Sequence, residues 1–438
     1  MSGDTFSTTL SWLKAAIDNF PDSRTGKNCQ FTMRDAAVGA FSVFLMQSRS
    51  FLEHQKWLAE RNGSHNVLSI FGVENIPSDN HIRRMLDPLS PDHLFPAYSA
   101  GLDWLKNHPS QRLQQLKHVQ DTHLSALDGT DFFSSTEVHC ANCSTKTFKD
   151  GHISYAHKAI TPALVHPGSP HVIPLPQEFI VPQDGHNKQD CENAAAKRWL
   201  SKYGNICGDW GMTCLGDDLY SCQPVCESVL KAKCHFIFVC KDLSHKYLTN
   251  WAASAEIGKD IKQKVVKQWT GKRREYHTYQ FMNNVPIKEG ADAMLVNWAC
   301  LKITDENGKL LHTFCFITDI PITEQNIIEI IAAGRCRWKI ENENNNILKQ
   351  KGYHIDHNFG HGKKHLANLL LSLNIYAFFC HTLLHFFDKR YAVLRNRLSS
   401  RRRFFTDLIA LTTYMVFGNW ENLLQFMLKG LKIPDPGG

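Results

Sequence analysis

An α/β fold is predicted for this 438-residue chain by three features of its sequence. The opening third carries apolar residues at helical intervals. Short apolar runs that end on Asp then alternate with a helix, and a long stretch of strands gives way to helix again. Residues 1–115 read as helical: Thr9 to Phe20 and Arg34 to Arg61 place apolar residues on one face. In IPSDNHIRRML, from Ile76, a turn leads into a helix capped by Ser78 or Asp79. Its two arginines face either solvent or a polyanion. PDHLFPAYSAGLDWLKNH then resumes the helical pattern.

Strand character starts near Leu124, where LDGTDFF is a short apolar entry followed by Asp-Gly-Thr. Residues 136–190 are rich in Pro, Gly, His and Cys, with VIPLPQEFIVPQ as an extended piece. DCENAAAKRWLSKYG, with its alanine run and capping acid, predicts a helix. MTCLGDDLY is a further strand and exit, and HFIFVCKD the next strand. HTYQFMNNVPI and MLVNWACLKITDENGKLLHTFCFITDI supply several more, with Glu306-Asn307-Gly308 marking a hairpin. PITEQNIIEIIAAGRCRWKIENENNNILKQKG returns to helix, with Thr323, three residues before Asn326, as its cap. LANLLLSLNIYAFFCHTLLHFF, from Leu366, has the length of a membrane span. Asn368, Ser372, Asn374 and His381 interrupt it and charges border it, so a buried helix is expected, as the back wall of the core or a subunit contact. No internal repeat is present.

Apolar residues at 43% support a sizeable core, and 21% charged residues fit a soluble protein with no membrane partner. The net charge of +7 suits a polyanionic partner but is modest for the length. Its distribution says more: basic clusters fall at Lys262 to Arg274, at Lys363-Lys364 and at Arg395 to Arg403. Each alone also reads as a solvated face. No secretory pattern opens the chain, and fourteen cysteines are too sparse for a disulfide scaffold. A reduced, cytoplasmic protein is expected.

Three acids carry the chemistry. Asp128 and Asp217 follow apolar strand-like runs, where sheets deliver side chains to an open edge. Glu341 lies on a helix among Arg337, Trp338 and Lys339. Carboxylates gathered in a basic protein suit two divalent cations about 4 Å apart, acting on a phosphodiester. Neighbouring acids separate from these. Asp131 falls beyond a strand expected to end at Gly129, and Asp218 faces opposite Asp217 if the strand persists. Glu343 points away from Glu341, whereas Arg337 and Asn345 share its face. Asp184 and Asp190 have no clear site. Taken singly, every one of these acids reads as a surface residue.

The run RWKIE, with Arg337 four residues before Glu341, resembles the Tyr-x2-Arg-x3-Glu-x6-Lys signature of the insertion-sequence-4 group of DDE transposases. LDGTDFF around Asp128 and LGDDLY around Asp217 resemble that family's first and second acid motifs. The resemblance covers most of Leu124 to His381 and extends to a subgroup with DGT, QDGHNKQDCE and KGYHIDHNFGHGKKHLAN stretches. Two positions depart from the signature. Gly334 stands where tyrosine is expected, and Leu348 takes the lysine position with Lys349 one residue later.

The resemblance implies a ribonuclease H-like (RNase H-like) catalytic core, a mixed sheet flanked by helices with a β-rich insertion before Glu341. The implied layout is a helical DNA-binding domain over 1–115, the core over 116–235 and 321–390, the insertion over 236–320 and a basic helical region over 391–438. It further implies Mg2+ or Mn2+ as a pair of ions on Asp128, Asp217 and Glu341. The implied partners are double-stranded DNA with terminal inverted repeats, target DNA and a second copy in a synaptic homodimer, in a prokaryotic cytoplasm at the nucleoid. In the resembled mechanism, activated water nicks an element end, and the freed 3′-hydroxyl can form a hairpin that is reopened before joining. Expected DNA contacts are Arg337, Trp338, Lys339, Lys349, Lys351, Lys363, Trp269, Arg273 and Arg274, the lysine role passing to Lys349, Lys351 or Lys363. Trp269 or Trp338 can stack on a displaced base, although core packing is the more ordinary use of a tryptophan. A nuclease without strand transfer and an inactive sequence-specific DNA-binding protein are the alternatives.

Separately, Cys140 and Cys143 form a CxxC followed by His152 and His157, an order and spacing that suit structural Zn2+. His139 or His171 can substitute as ligand, and two buried free thiols are the alternative. Such a zinc braces the loop after Asp128. His354, His357, His361 and His365 form a second group. There Gly360 and Gly362 break any helical phase, so a structural or phosphate-facing role is expected in place of a metal site.

Overall fold

The N-terminal helical pattern becomes α1 (Thr5–Ile17), α2 (Met33–Leu45), α3 (Phe51–Ala59), α4 (Gly63–Asn66), α5 (Asp79–Leu86) and α6 (Phe95–Asn107). The structure is a computed structural model that describes all residues except 1–3, 26–28, 60–61, 109, 111, 183–190, 259–260 and 438. Asp184 and Asp190 lie outside the described residues. Caps fix several helix starts. Thr32 and Asp35 form a reciprocal capping box on α2, and the Ser78 side chain accepts from His81 N to start α5. The helical run expected from Arg34 to Arg61 is broken between α2 and α3. There Gln47 adopts φ 54°, a left-handed conformation that an α-helix cannot carry.

Strands follow as β1 (Lys117–His118), β2 (Thr122–Ala126), β3 (Gly129–Ser135), β4 (Ser144–Thr147), β5 (Ile153–Ile160), β6 (Ala163–Val165), β7 (Ile173–Pro174) and β8 (Glu178–Ile180). Then come α7 (Glu192–Trp210), β9 (Met212–Gly216), α8 (Gln223–Lys231), β10 (His235–Val239), α9 (Lys246–Gly258), β11 (Lys262–Trp269), β12 (Arg274–Pro286), β13 (Leu295–Asp305) and β14 (Leu310–Thr318). The chain closes with α10 (Ile327–Arg335), a π-helical turn over Ile340–Asn345, α11 (Asn346–Gln350), α12 (Leu366–Phe387), α13 (Lys389–Arg397), α14 (Arg401–Tyr414) and α15 (Trp420–Gly430).

One large mixed sheet organises the molecule, in the order β11-β12-β13-β14-β10-β9-β2-β6-β7, with β1 also pairing β2. β2, β9 and β10 run parallel; β6 pairs antiparallel with β2, β7 antiparallel with β6 and so along β2, and β14 antiparallel with β10. Every residue of β2 and β9 is buried, as expected of parallel strands covered by helices on both faces. The β-rich stretch therefore extends the same sheet through β14, with Gly308 at φ 81° turning the β13–β14 hairpin. A second, smaller sheet, in which β5 pairs β3, β4 and β8, leaves the main sheet directly after Asp128.

α12 is long and apolar enough to cross a membrane, yet 89% of its most apolar stretch is buried inside the molecule. It packs against α1, α2, α13 and β7, and hydrogen bonds lock it in place: Tyr98 Oη donates to Ser372 O at 3.1 Å, and Tyr376 Oη to Thr9 O at 2.8 Å. The buried-helix expectation holds, and α12 is a core wall.

Candidate functional site

β2 and β9 pair in parallel with Ala126 opposite Leu215, and Leu127 N donates to Leu215 O at 2.8 Å. Asp128 and Asp217 each lie two residues beyond that pair, so they leave adjacent strands at the same sheet edge. The other acids are engaged elsewhere. The strand is interrupted earlier than expected, and a new one, β3, starts at Gly129. Asp131 therefore sits on β3, where Lys158 Nζ approaches it at 3.2 Å. β9 stops at Gly216, and Asp218 turns away to accept from Lys241 N at 2.6 Å and to meet His245 Nε2 at 3.3 Å.

The π-helical turn brings the third acid to this edge. Asn345 Nδ2 donates to Asp128 Oδ2 at 2.9 Å, while Asn345 Oδ1 accepts from Thr161 Oγ1 at 2.7 Å. Arg337 Nη2 donates to Glu341 Oε1 at 2.7 Å. Arg337 and Asn345 thus flank Glu341 on one face, and a π turn at a functional edge is a recurrent arrangement.

Electrostatics join the three arms. Burial pushes the Asp128 carboxyl up to about 7, and the Glu192 charge adds to the rise. Arg337 opposes it, whereas Glu341 and Asp217 push the same way. Asp217 and Glu341 therefore both act on Asp128. Glu192 is a fourth acid that the sequence reading missed. Its Oε1 accepts from Gly129 N and from Tyr220 Oη, both at 2.9 Å, and burial with the nearby Asp217 raises its own pKa. The hints in the sequence are its place in the first turn of α7, where an acid is ordinary helix chemistry, and its position at the end of QDGHNKQDCE.

The expected DNA contacts divide. Trp338 and Trp269 are 47% and 65% exposed, so neither takes the core position that is ordinary for tryptophan. Trp269 ends the edge strand β11. Trp338 projects from the turn before Glu341 with Lys339 Nζ 4.9 Å above its ring. Lys339 itself is buried, and its ammonium donates to Ser169 O at 2.8 Å, so it is held inside and not presented to solvent. Lys351 and Lys363 are exposed, Lys349 Nζ lies 3.8 Å from Asp356, Arg273 pairs with Glu275 at 2.9 Å, and Arg274 is exposed. Packing leaves no room for a side chain at Gly334, since a Cβ there would fall 2.6 Å from the Phe316 ring. Leu348, in the lysine position, is wholly buried.

The cysteine and histidine residues assemble with one change of partner. Ligand atoms of Cys140, Cys143, His157 and His361 all lie within 4.8 Å of one another. His152, expected in the set, is excluded: it lies on the exposed turn between β4 and β5, bonded to Asp150 at 2.5 Å and stacked on Phe148. His139 stacks on Tyr155, and the His171 ring lies tilted against His385 at 4.0 Å, so neither substitutes. His361, assigned by spacing to a non-metal role, takes the place instead. Its glycine neighbours free the chain to turn inward, with Gly360 at φ 157° and Gly362 at φ 71°. Burial holds His157 neutral with its pKa down at about 4.

No family model and no curated protein matches the chain. Among solved structures, it is similar to the piggyBac transposase synaptic complex with hairpin DNA, at 10% identity and a TM-score of 0.40, over 99% of this chain and 80% of that one.

Proposed function

We propose that the chain is a DDE-type DNA transposase, cutting at terminal inverted repeats and joining the ends to target DNA, with Asp128, Asp217 and Glu341 as its catalytic acids. The observation that carries this reading is the shared edge: adjacent parallel strands deliver Asp128 and Asp217, and the Asn345–Asp128 bond brings in the turn bearing Glu341. The donor set fits divalent magnesium or manganese, because the ligands are carboxylate oxygens and Arg337 is the positive side chain acting on Asp128. Such ions, when bound, supply Lewis-acid activation of the attacking oxygen and stabilise the leaving one.

The chain's own residues do the rest. Asn345 orients the Asp128 carboxylate and Arg337 that of Glu341, so each acid holds an oxygen in place. Trp338, exposed beside Glu341, offers a stacking face to an unpaired base. Exposed Lys351, Lys363, Arg273 and Arg274 offer charge to the DNA backbone. The order β7-β6-β2-β9-β10, antiparallel on one side of β2 and parallel on the other, supports an RNase H-like core. The helices over 1–115 are read as the DNA-binding domain and two copies as the synaptic unit, working on cytoplasmic nucleoid DNA.

The test is incubation of the full chain with DNA bearing the ends of its own element, with and without Mg2+, beside Asp128→Ala, Asp217→Ala and Glu341→Ala. Wild type should cleave and join, and each variant should bind but lose cleavage by at least about 100-fold. An acid whose removal spares cleavage is not catalytic, and a wild type inert toward those ends overturns the reading. Cleavage with no joining of pre-processed ends selects a nuclease.

A further inference from the structure

We infer that Cys140, Cys143, His157 and His361 form a structural zinc site that staples the hairpin leaving Asp128 to the segment downstream of Glu341. The geometry is close to that of a tetrahedron. Cys140 Sγ and Cys143 Sγ are 4.0 Å apart, and His157 Nε2 lies 3.5 and 3.4 Å from them. His361 Nε2 is 3.4 Å from Cys143 Sγ and 3.1 Å from His157 Nε2. Zn–S bonds of about 2.3 Å and Zn–N bonds of about 2.0 Å at tetrahedral angles give edges of about 3.8 Å for S–S, 3.5 Å for S–N and 3.3 Å for N–N. Five of the six edges lie within about 0.2 Å of these values, and the sixth, between Cys140 Sγ and His361 Nε2, is within 4.8 Å, so a small inward turn of His361 closes the tetrahedron.

The surroundings serve a metal and not a disulfide. A disulfide brings its sulfurs to about 2.05 Å and leaves two imidazoles facing one another with nothing between them. Gly362 O lies 2.9 Å from His361 Nδ1, which fixes the proton there and leaves the Nε2 lone pair facing the sulfurs. Cys140 N points at Cys143 Sγ at 3.4 Å, a backbone donor suited to a thiolate. Phe132 packs on the His157 ring and Phe133 on that of His361, and Cys143, His157 and His361 are buried with Cys140 half-buried. Binding one Zn2+ by two thiols and two neutral imidazoles releases two protons to solvent and leaves a neutral, closed site with no open position for catalysis.

The site has a mechanical meaning. The CxxC turn joins β3 to β4, His157 is on β5, and β5 runs directly into Thr161, whose N donates to Asp128 O at 3.0 Å. His361 lies 20 residues beyond Glu341, in the segment entering α12. Asn142 Nδ2, inside the CxxC, donates to Lys364 O at 2.6 Å across the same junction. One ion therefore holds together two stretches about 200 residues apart in sequence, a closure that chain entropy opposes.

Metal content tests this independently of the activity proposed above. The full-length protein, purified from zinc-supplemented cells, should carry one zinc per chain by mass spectrometry. Exchange with Co2+ should give tetrahedral ligand-field bands and thiolate charge-transfer absorption. Cys143→Ser and His361→Ala should lose the ion, and His152→Ala should retain it. His361→Cys, which keeps a ligand, should retain Co2+ with stronger charge transfer and so guards against loss by misfolding. A wild type that holds neither zinc nor tetrahedral cobalt overturns the proposal, as does a His361→Ala protein that keeps a full equivalent of zinc.

Discussion

At the scale of single residues, the acidic edge is a balance of charge and burial. Asp128 titrates near 7 when no cation is present, against 3.8 in an open chain. Between those values the native state holds a proton that the unfolded state has released, so metal-free stability should fall as pH rises from about 4 to about 7. Asp128→Asn should flatten that slope in thermal melts taken across the window, and an unchanged slope would contradict the assignment. Glu192 separates charge from structure because both of its hydrogen bonds end on Oε1. Glu192→Gln can keep both acceptor contacts while removing the charge. It should shift Asp128 titration, followed by carboxyl NMR, to lower pH with little change in melting temperature. Glu192→Ala instead strands the Gly129 N–H and the Tyr220 hydroxyl and should cost about 1–3 kcal/mol in denaturant unfolding.

At the scale of elements, close packing decides what the sequence motif can contain. α10 crosses β14 with Gly334 against the Phe316 ring, and a methyl group there would need Phe316 to move. Gly334→Ala should destabilise by about 1–3 kcal/mol, measured by chemical denaturation, and Gly334→Tyr should fail to fold. If Gly334→Ala is neutral, α10 and β14 do not approach as described. Most strands and helices here were legible in advance, since alternating apolar runs and caps such as Ser78 are local signals. The break at Gln47 and the start of β3 at Gly129 were not, because each is imposed by what the chain packs against beyond that point.

At the scale of the molecule, the N-terminal helices and α12 share one core. Tyr98 and Tyr376 bond across that boundary, and α1, α2 and α5 all pack on α12. Deleting residues 1–115 should therefore expose the buried face of α12 and abolish cooperative unfolding, seen as dye binding and a lost calorimetric transition; a truncated chain that melts sharply would show the two parts to be independent. The sequence alone determined the α/β class, the two strand-end acids and the burial of α12, because each rests on periodicity or on a break in it. It also offered Glu341 and a CxxC. Only the tertiary structure decided that Glu192 joins the acids, that His361 and not His152 completes the thiol pair, and that Lys339 turns inward while Trp269 and Trp338 face out. Those outcomes depend on which distant segments meet, a matter of sheet order and packing that no local pattern of residues encodes.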